Sequence, residues 1–144
     1  MVTKNFVKLF ASISLITVFV DQILKYIISL YTPNISLGIL NIHLVKNTGA
    51  GFGILQGQTI LLGIISLLVS LLIIFFYHKI PQEKWVQALF AFFLGGVVGN
   101  GIDRLFRNAV IDFIDFGWWP AFNIADMAIS IAGIGLVVYY MKNG

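Results

Sequence analysis

Cysteine is absent from the 144-residue chain. That excludes disulfides, a thiolate nucleophile and any metal centre built on sulfur. Charge is scarce as well, at 10% of residues against about a quarter in soluble domains. Six residues are acidic and nine are Lys or Arg. The basic ones are scattered singly and the net charge is only +3, so nothing points to nucleic acid. No internal repeat or low-complexity segment is visible. What the chain does have is apolar mass: 59% hydrophobic residues, including thirteen Phe. On a soluble fold of this size they would leave large exposed apolar patches, and the same numbers exclude disorder. The composition is that of a polytopic membrane protein, and the length is that of one domain, residues 1–144.

A membrane-crossing helix needs about 20 mostly apolar residues. Four stretches meet that requirement: about 6–30, 59–77, 85–102 and 121–140. The second carries no charge, and the fourth carries Asp126 alone. Lys4 and Lys8 before the first run resemble the start of a signal peptide, but Val18-Phe19-Val20 is too bulky for a cleavage site, so a retained helix is expected. With four crossings, Lys4, Lys8, Lys79, Lys84 and Lys142 share one side, against Lys46, Arg104 and Arg107 on the other. This bias predicts that both termini are cytoplasmic. Between the first two runs, Leu40-Asn41-Ile42-His43-Leu44 alternates as a short strand does, and Asn47-Thr48-Gly49-Ala50-Gly51 is turn-prone. A second strand is predicted over 110–116, followed by Trp118 and Trp119 at interfacial depth. The expected fold is therefore an all-α membrane protein of four transmembrane helices with a small β-containing extracytoplasmic cap.

The acids converge. Asp103, Asp112 and Asp115 lie in or beside the second outer loop, which is expected to begin at Leu105 and to hold Arg107. Asp126 is expected one and a half turns into the fourth helix, and Asp21 in the outer third of the first. Ionisable groups at membrane depth are costly and mark functional sites by default. Asp21 and Lys25 are i,i+4 and can pair as a structural bridge. Asn100, Asp103 and Arg104 share a helix face, as do Asn123 and Asp126, and Gly95 and Gly99 allow close helix approach. His43 and His78 fall on opposite membrane sides, which disfavours a histidine metal site. Asp112 and Asp115 point to opposite faces of a strand, so only one of them can face Asp126, and alternation does not say which. Two carboxylates sharing one proton can activate a water and protonate a carbonyl, which suits hydrolysis.

Five segments resemble the sequence blocks of the lipoprotein signal peptidases (signal peptidase II): Asp21-Gln22-Ile23-Leu24-Lys25, Asn47-Thr48-Gly49-Ala50-Gly51-Phe52, Gly95 to Arg104, Val110-Ile111-Asp112-Phe113 and Phe122-Asn123-Ile124-Ala125-Asp126. They occur in family order along nearly the whole chain. The resemblance implies a four-helix aspartyl endopeptidase of the prokaryotic plasma membrane. Such an enzyme removes the signal peptide of a prolipoprotein just before its diacylglyceryl-modified cysteine, near the extracytoplasmic face. It further implies Asp112 and Asp126 as the catalytic pair, with Asn47, Gly49, Asn100, Arg104 and Asn123 binding substrate or supporting the acids. Asp21, Lys25 and Asp103 would form a structural or supporting ion pair. No metal or cofactor is expected; the partners would be the lipid-modified prolipoprotein and membrane lipid, and the protein would be monomeric. The chain departs from the family pattern at Gly51, Val97, Val98 and Met127, all beside the acids and none of them an acid. The rival from another class is a proton or ion translocator using Asp21, Asp112 and Asp126 as a relay. Against it, the acids gather at one face and the second run is uncharged. An assembly factor without chemistry is the third alternative.

Overall fold

The computed structural model describes residues 4–143. Four helices run between two ends of the molecule: α1 (Lys4–Tyr31), α2 (Thr59–Phe75), α3 (Lys84–Arg107) and α4 (Ile124–Asn143). A small antiparallel sheet caps one end, in the order β1 (Asn34–Leu37), β2 (Leu40–Asn47), β3 (Val110–Asp115). α1, α3 and α4 are each long and apolar enough to cross a membrane. α2 is a shorter apolar helix of 17 residues, continued by a 3-10 turn at Tyr77–Lys79. At a rise of about 1.5 Å per residue it reaches roughly 25 Å. The chain thus builds a multi-pass membrane protein with a β-containing cap.

α3 is the central helix. Over half of its most apolar window is buried, against about a fifth in α1 and α4. Glycines make this possible by removing the side chain where a neighbour crosses. A Cβ on Gly95 would lie 2.6 Å from Thr17 of α1, one on Gly99 2.7 Å from the Asp21 carboxylate, and one on Gly96 2.5 Å from the Ala125 carbonyl of α4. The outward faces of α1, α2 and α4 present Leu15, Phe19, Leu68, Leu72, Ile134 and Val137. These exposed apolar side chains suit hydrocarbon rather than water.

Two apolar clusters close the ends. Phe10, Ile80, Val86, Ala91, Leu94 and Tyr139 pack at the end away from the cap. There the fully buried Gln87 amide donates to the Pro81 carbonyl and accepts from Tyr77, tying α2 to α3. Ile28, Ile111 and Phe113 pack beneath the sheet and fix the cap to α1. β1 and β2 form a hairpin that turns at Gly38 (φ +74°), with Leu37 opposite Leu40. β2 pairs with β3 through a bulge between Ile42 and Val45, which puts Val45 opposite Asp112 and Asn47 opposite Val110.

Several boundaries differ from the sequence expectation. The third helix continues five residues past Ile102, so Asp103, Arg104 and Arg107 are helical rather than in or beside a loop. Hydropathy falls where those charges begin, but Asp103 faces inward and is fully paired, so the helix carries on. The fourth helix starts at Ile124 rather than near 121, and Asp126 therefore sits in its first turn, not deeper. The second helix ends at Phe75, short of 77. Asn47, expected in a turn, is the last residue of β2.

Candidate active site

Asp112 and Asp126 line one cleft at the boundary between cap and helices, with a volume of about 400 Å³. β3 delivers Asp112, whose carboxylate is 1% exposed. α4 delivers Asp126 from a reciprocal cap. The Asn123 Oδ1 accepts from the Asp126 N–H at 2.8 Å, while the Asp126 Oδ2 accepts from the Asn123 N–H at 3.1 Å. This is the capping-box arrangement, in which two otherwise unpaired helix-start donors are satisfied at once.

Asn123 also joins the two acids. Its Nδ2 donates to the Asp112 Oδ1 at 2.8 Å and to the Asn100 Oδ1 at 3.0 Å. Asp126 receives a further bond from the Asn100 Nδ2 at 2.7 Å, and Asp112 one from the Asn47 Nδ2 at 3.1 Å. Each carboxylate thus has both oxygens held by N–H donors. The far end of Asn47 is fixed in turn, because its Oδ1 accepts from the Gly49 N–H at 2.9 Å. Gly49 admits no side chain: a Cβ there would lie 2.7 Å from the Ile54 carbonyl.

The acids share an electrostatic problem. Burial pushes the Asp112 carboxyl up to about 7 from its ordinary 3.8, and the neighbouring Asp126 charge adds to the rise. The Asn47 and Asn123 amides and the Lys25 ammonium pull the other way. Asp112 therefore holds a proton up to near neutrality. Asp115 differs. It accepts from His43 at 2.8 Å and from the Gly117 N–H at 2.7 Å, and these bonds keep its carboxyl below the usual range. It stands apart from the cleft lining.

Arg104 enters the cleft from α3 and reaches the Gly49 carbonyl at 3.4 Å. Its Nε is buried with no acceptor among the described residues. Beneath the acids lies a buried ionic cluster. Lys25, fully buried, contacts Asp21 at 2.8 Å, Asp103 at 2.9 Å and the Asn100 Oδ1 at 3.0 Å. Asp21 caps α4 by accepting from the Ala125 N–H at 2.9 Å, and Asp103 accepts from the Ile111 N–H at 3.0 Å and from Arg107. The expected Asp21–Lys25 pair is therefore part of a larger cluster that joins α1, α3, α4 and β3.

The ten residues assigned to the site from the sequence lie in or directly behind this cleft, whereas Asp115, the alternative to Asp112, does not. Three contributors were assigned no role from the sequence, although Gln22 and Phe52 lie inside segments that carry the family resemblance. Gln22 donates to Asp103 at 3.1 Å and to the Gly99 carbonyl at 3.1 Å. Ser130 lines the cleft one turn below Asp126. Phe52, held at φ +58° between Gly51 and Gly53, meets Trp119 edge to face at 5.1 Å across the cleft mouth. Of these, Ser130 was legible, since it stands at i+4 from Asp126 and so on the same helix face.

The family model described as Signal peptidase (SPase) II matches residues 13–142. The chain is 37% identical over 138 residues to a lipoprotein signal peptidase of Syntrophomonas wolfei subsp. wolfei, covering 90% of this chain and 91% of that one. It is 40% identical over 126 residues to a lipoprotein signal peptidase of Moorella thermoacetica, covering 83% and 84%. Its fold is similar to that of a bacterial membrane enzyme solved by the in meso method at 2.3 Å resolution. The TM-score is 0.83 at 31% identity, over 93% of this chain and 88% of that one.

Proposed function

The chain belongs to the signal peptidase II family, aspartic peptidases that cleave signal peptides from prolipoproteins, and we propose that Asp112 and Asp126 together carry out that cleavage. The observation that carries this reading is Asn123, which donates hydrogen bonds to both carboxylates in one cleft. A prolipoprotein strand enters the cleft from the membrane and lies with its scissile bond beside the acids, just before the lipid-modified cysteine. The ionised member of the pair takes a proton from water as the water oxygen bonds to the scissile carbonyl carbon. The protonated member gives its proton to the carbonyl oxygen, so the tetrahedral intermediate forms without net charge. Collapse then breaks the C–N bond: the ionised member takes back a hydroxyl proton of the intermediate while the protonated member gives its proton to the departing amine.

The other cleft residues have matching roles. The Arg104 Nε holds a substrate carbonyl, and the Gly49 carbonyl, which accepts from the same guanidinium, steadies it there. Asn47, Asn100 and Asn123 hold the carboxylates at fixed angles, so little reorganisation is needed when charge moves. One chain supplies both acids, and the enzyme acts as a monomer without metal or cofactor. α2 makes a fourth crossing: Thr59 at its start hydrogen-bonds Thr48 beside the cap, and the turn after its end packs Tyr77 on Phe10 at the opposite end. Residues 1–144 thus form one domain with both termini cytoplasmic and the cleft near the extracytoplasmic face.

The test uses purified enzyme and a lipidated prolipoprotein. Asp112→Asn and Asp126→Asn should each lower kcat by at least about a thousandfold while the protein stays folded, the scale seen when a member of a catalytic unit is removed. Asp115→Asn should retain most activity. Full activity of either amide variant at Asp112 or Asp126 would refute the two-acid reading.

A further inference from the structure

We propose that Lys25 is a positioning residue for the reaction, its ammonium group fixing which end of the Asn100 side-chain amide faces Asp126. The inference rests on the two-acid reading above and deepens it.

An asparagine amide has two ends of nearly the same shape, a carbonyl oxygen that accepts and an NH₂ that donates. Only one orientation of Asn100 can serve an ionised Asp126, because a carboxylate accepts and cannot donate. In that orientation the Nδ2 donates to the Asp126 Oδ1 at 2.7 Å and the Oδ1 faces away from the cleft. Two donors meet that oxygen, the Asn123 Nδ2 and the Lys25 Nζ, each at 3.0 Å. Asn123 has its own amide ends and could turn with its partner. Lys25 cannot, because an ammonium has three donors and no acceptor. A flipped Asn100 would point its NH₂ at Lys25 and its oxygen at Asp126, leaving a donor against a donor and an acceptor against a carboxylate. In a buried site such mismatches cost the full desolvation penalty of each group.

The use of the three ammonium protons supports the same reading. Two go to Asp21 and Asp103, which is all that a structural ion pair would need, and the third goes to Asn100. The groups facing this cluster are known from each packed element. α1 supplies Asp21 and Lys25. α3 supplies Asp103, Arg104 and Arg107, β3 supplies Asp112, α4 supplies Asp126, and Lys46 of β2 lies at the cleft rim. Lys25 is the buried cation among them, and its charge also opposes protonation of Asp112.

Two double variants isolate the effect. Asp21→Asn/Lys25→Gln and Asp21→Asn/Lys25→Met each remove one charge of either sign, so the buried cluster stays balanced. They differ in whether residue 25 can donate to Asn100: a glutamine NH₂ there is turned inward by the Asp103 carboxylate, which only accepts, and has a second proton for the Asn100 oxygen. Cleavage of the lipidated prolipoprotein by folded, monodisperse enzyme should show kcat for the Met variant about tenfold to a hundredfold below the Gln variant, the scale of a small misplacement of a catalytic group. KM should be the same in both. Equal kcat values would overturn the proposal, since a purely structural bridge gives no reason for a difference. Should the Met variant not fold, the Gln variant decides alone: its donor keeps Asn100 oriented, so kcat should stay within about tenfold of that of Asp21→Asn at unchanged KM, and a larger loss would overturn the proposal. Failure of both variants to fold would assign Lys25 a structural role and overturn it too. Asp112→Asn and Asp126→Asn are measured in parallel. If those two are inactive and the Lys25 variants behave as the parent does, this inference alone fails. If they are active, the two-acid reading fails.

Discussion

Asp112 and Asp115 stand three residues apart on the same strand, carry the same side chain and are pushed in opposite directions. Asp112 is buried beside Asp126 and holds its proton to about 7; Asp115 accepts from His43 and stays ionised. Alternation along a strand predicts this opposition of faces but not which face is the cleft. That choice came from the resemblance, because the decisive facts, the Asn123 and Asn47 bonds to Asp112, are long-range. The shift of Asp112 has a sign that can be checked. A carboxyl raised in the folded state donates well while protonated, so the rate should fall as pH rises through about 7. It should fall again in acid, where both members of the pair are protonated and no base remains. The values belong to the pair and not to either acid. Because ionising a buried Asp112 is unfavourable, the fold should also lose stability as pH rises from the ordinary 3.8 towards 7. Cleavage rate against pH, measured with and without a chelator, tests this. A rate still climbing well above neutrality, or abolished by chelator and restored by metal, would contradict the assignment.

At the scale of elements, the long apolar runs gave the helices their places, and the charges misled their ends. From sequence, α3 is expected to end at Ile102, because Asp103 and Arg104 follow. In the folded chain Asp103 is spent on Lys25, Arg107 and the Ile111 N–H, so the charge is internal and no reason for the helix to stop. β1 does alternate, Asn34-Ile35-Ser36-Leu37, but at the shortest length that carries the signal, and all four of its residues are exposed. Leu40–Leu44 of β2 alternates over a longer run, whereas the first four residues of β3 are all buried and its sequence shows no strict alternation. The start of α4 was legible in another way, since Asn123 and Asp126 have the spacing of a capping box, although only the fold reveals that the cap and the acid are one group. Helix contacts make a sharp prediction here. Gly96→Ala would drive a methyl group against the Ala125 carbonyl, where a Cβ has only 2.5 Å. Moving α4 away also moves Asp126 from Asn100, so stability should drop by about 1–3 kcal/mol and cleavage with it. Gly133 has open space around its Cβ position, and Gly133→Ala should be neutral or stabilising by up to about 1 kcal/mol. Thermal unfolding in detergent distinguishes the two; a harmless Gly96→Ala would mean that α3 and α4 are not locked at that point.

For the whole molecule, the arrangement predicts a topology. Reporter fusions at residue 144 should report the cytoplasm, and insertions within 105–116 the outside. A C-terminus found outside would overturn both the four-crossing reading and the placing of the cleft. The same architecture bears on how the enzyme comes into being. Asn123 joins α4 to β3 and α3, and it is set at the very start of the last helix. During synthesis Asp112 leaves the ribosome before Asp126, and until the final helix has inserted and docked on Gly96, the two are ordinary solitary acids on separate segments. On the two-acid reading, a nascent chain is inert towards itself and towards the other polypeptides crowding the insertion machinery, and proteolytic power arrives with the docking of α4, as a by-product of a packing event.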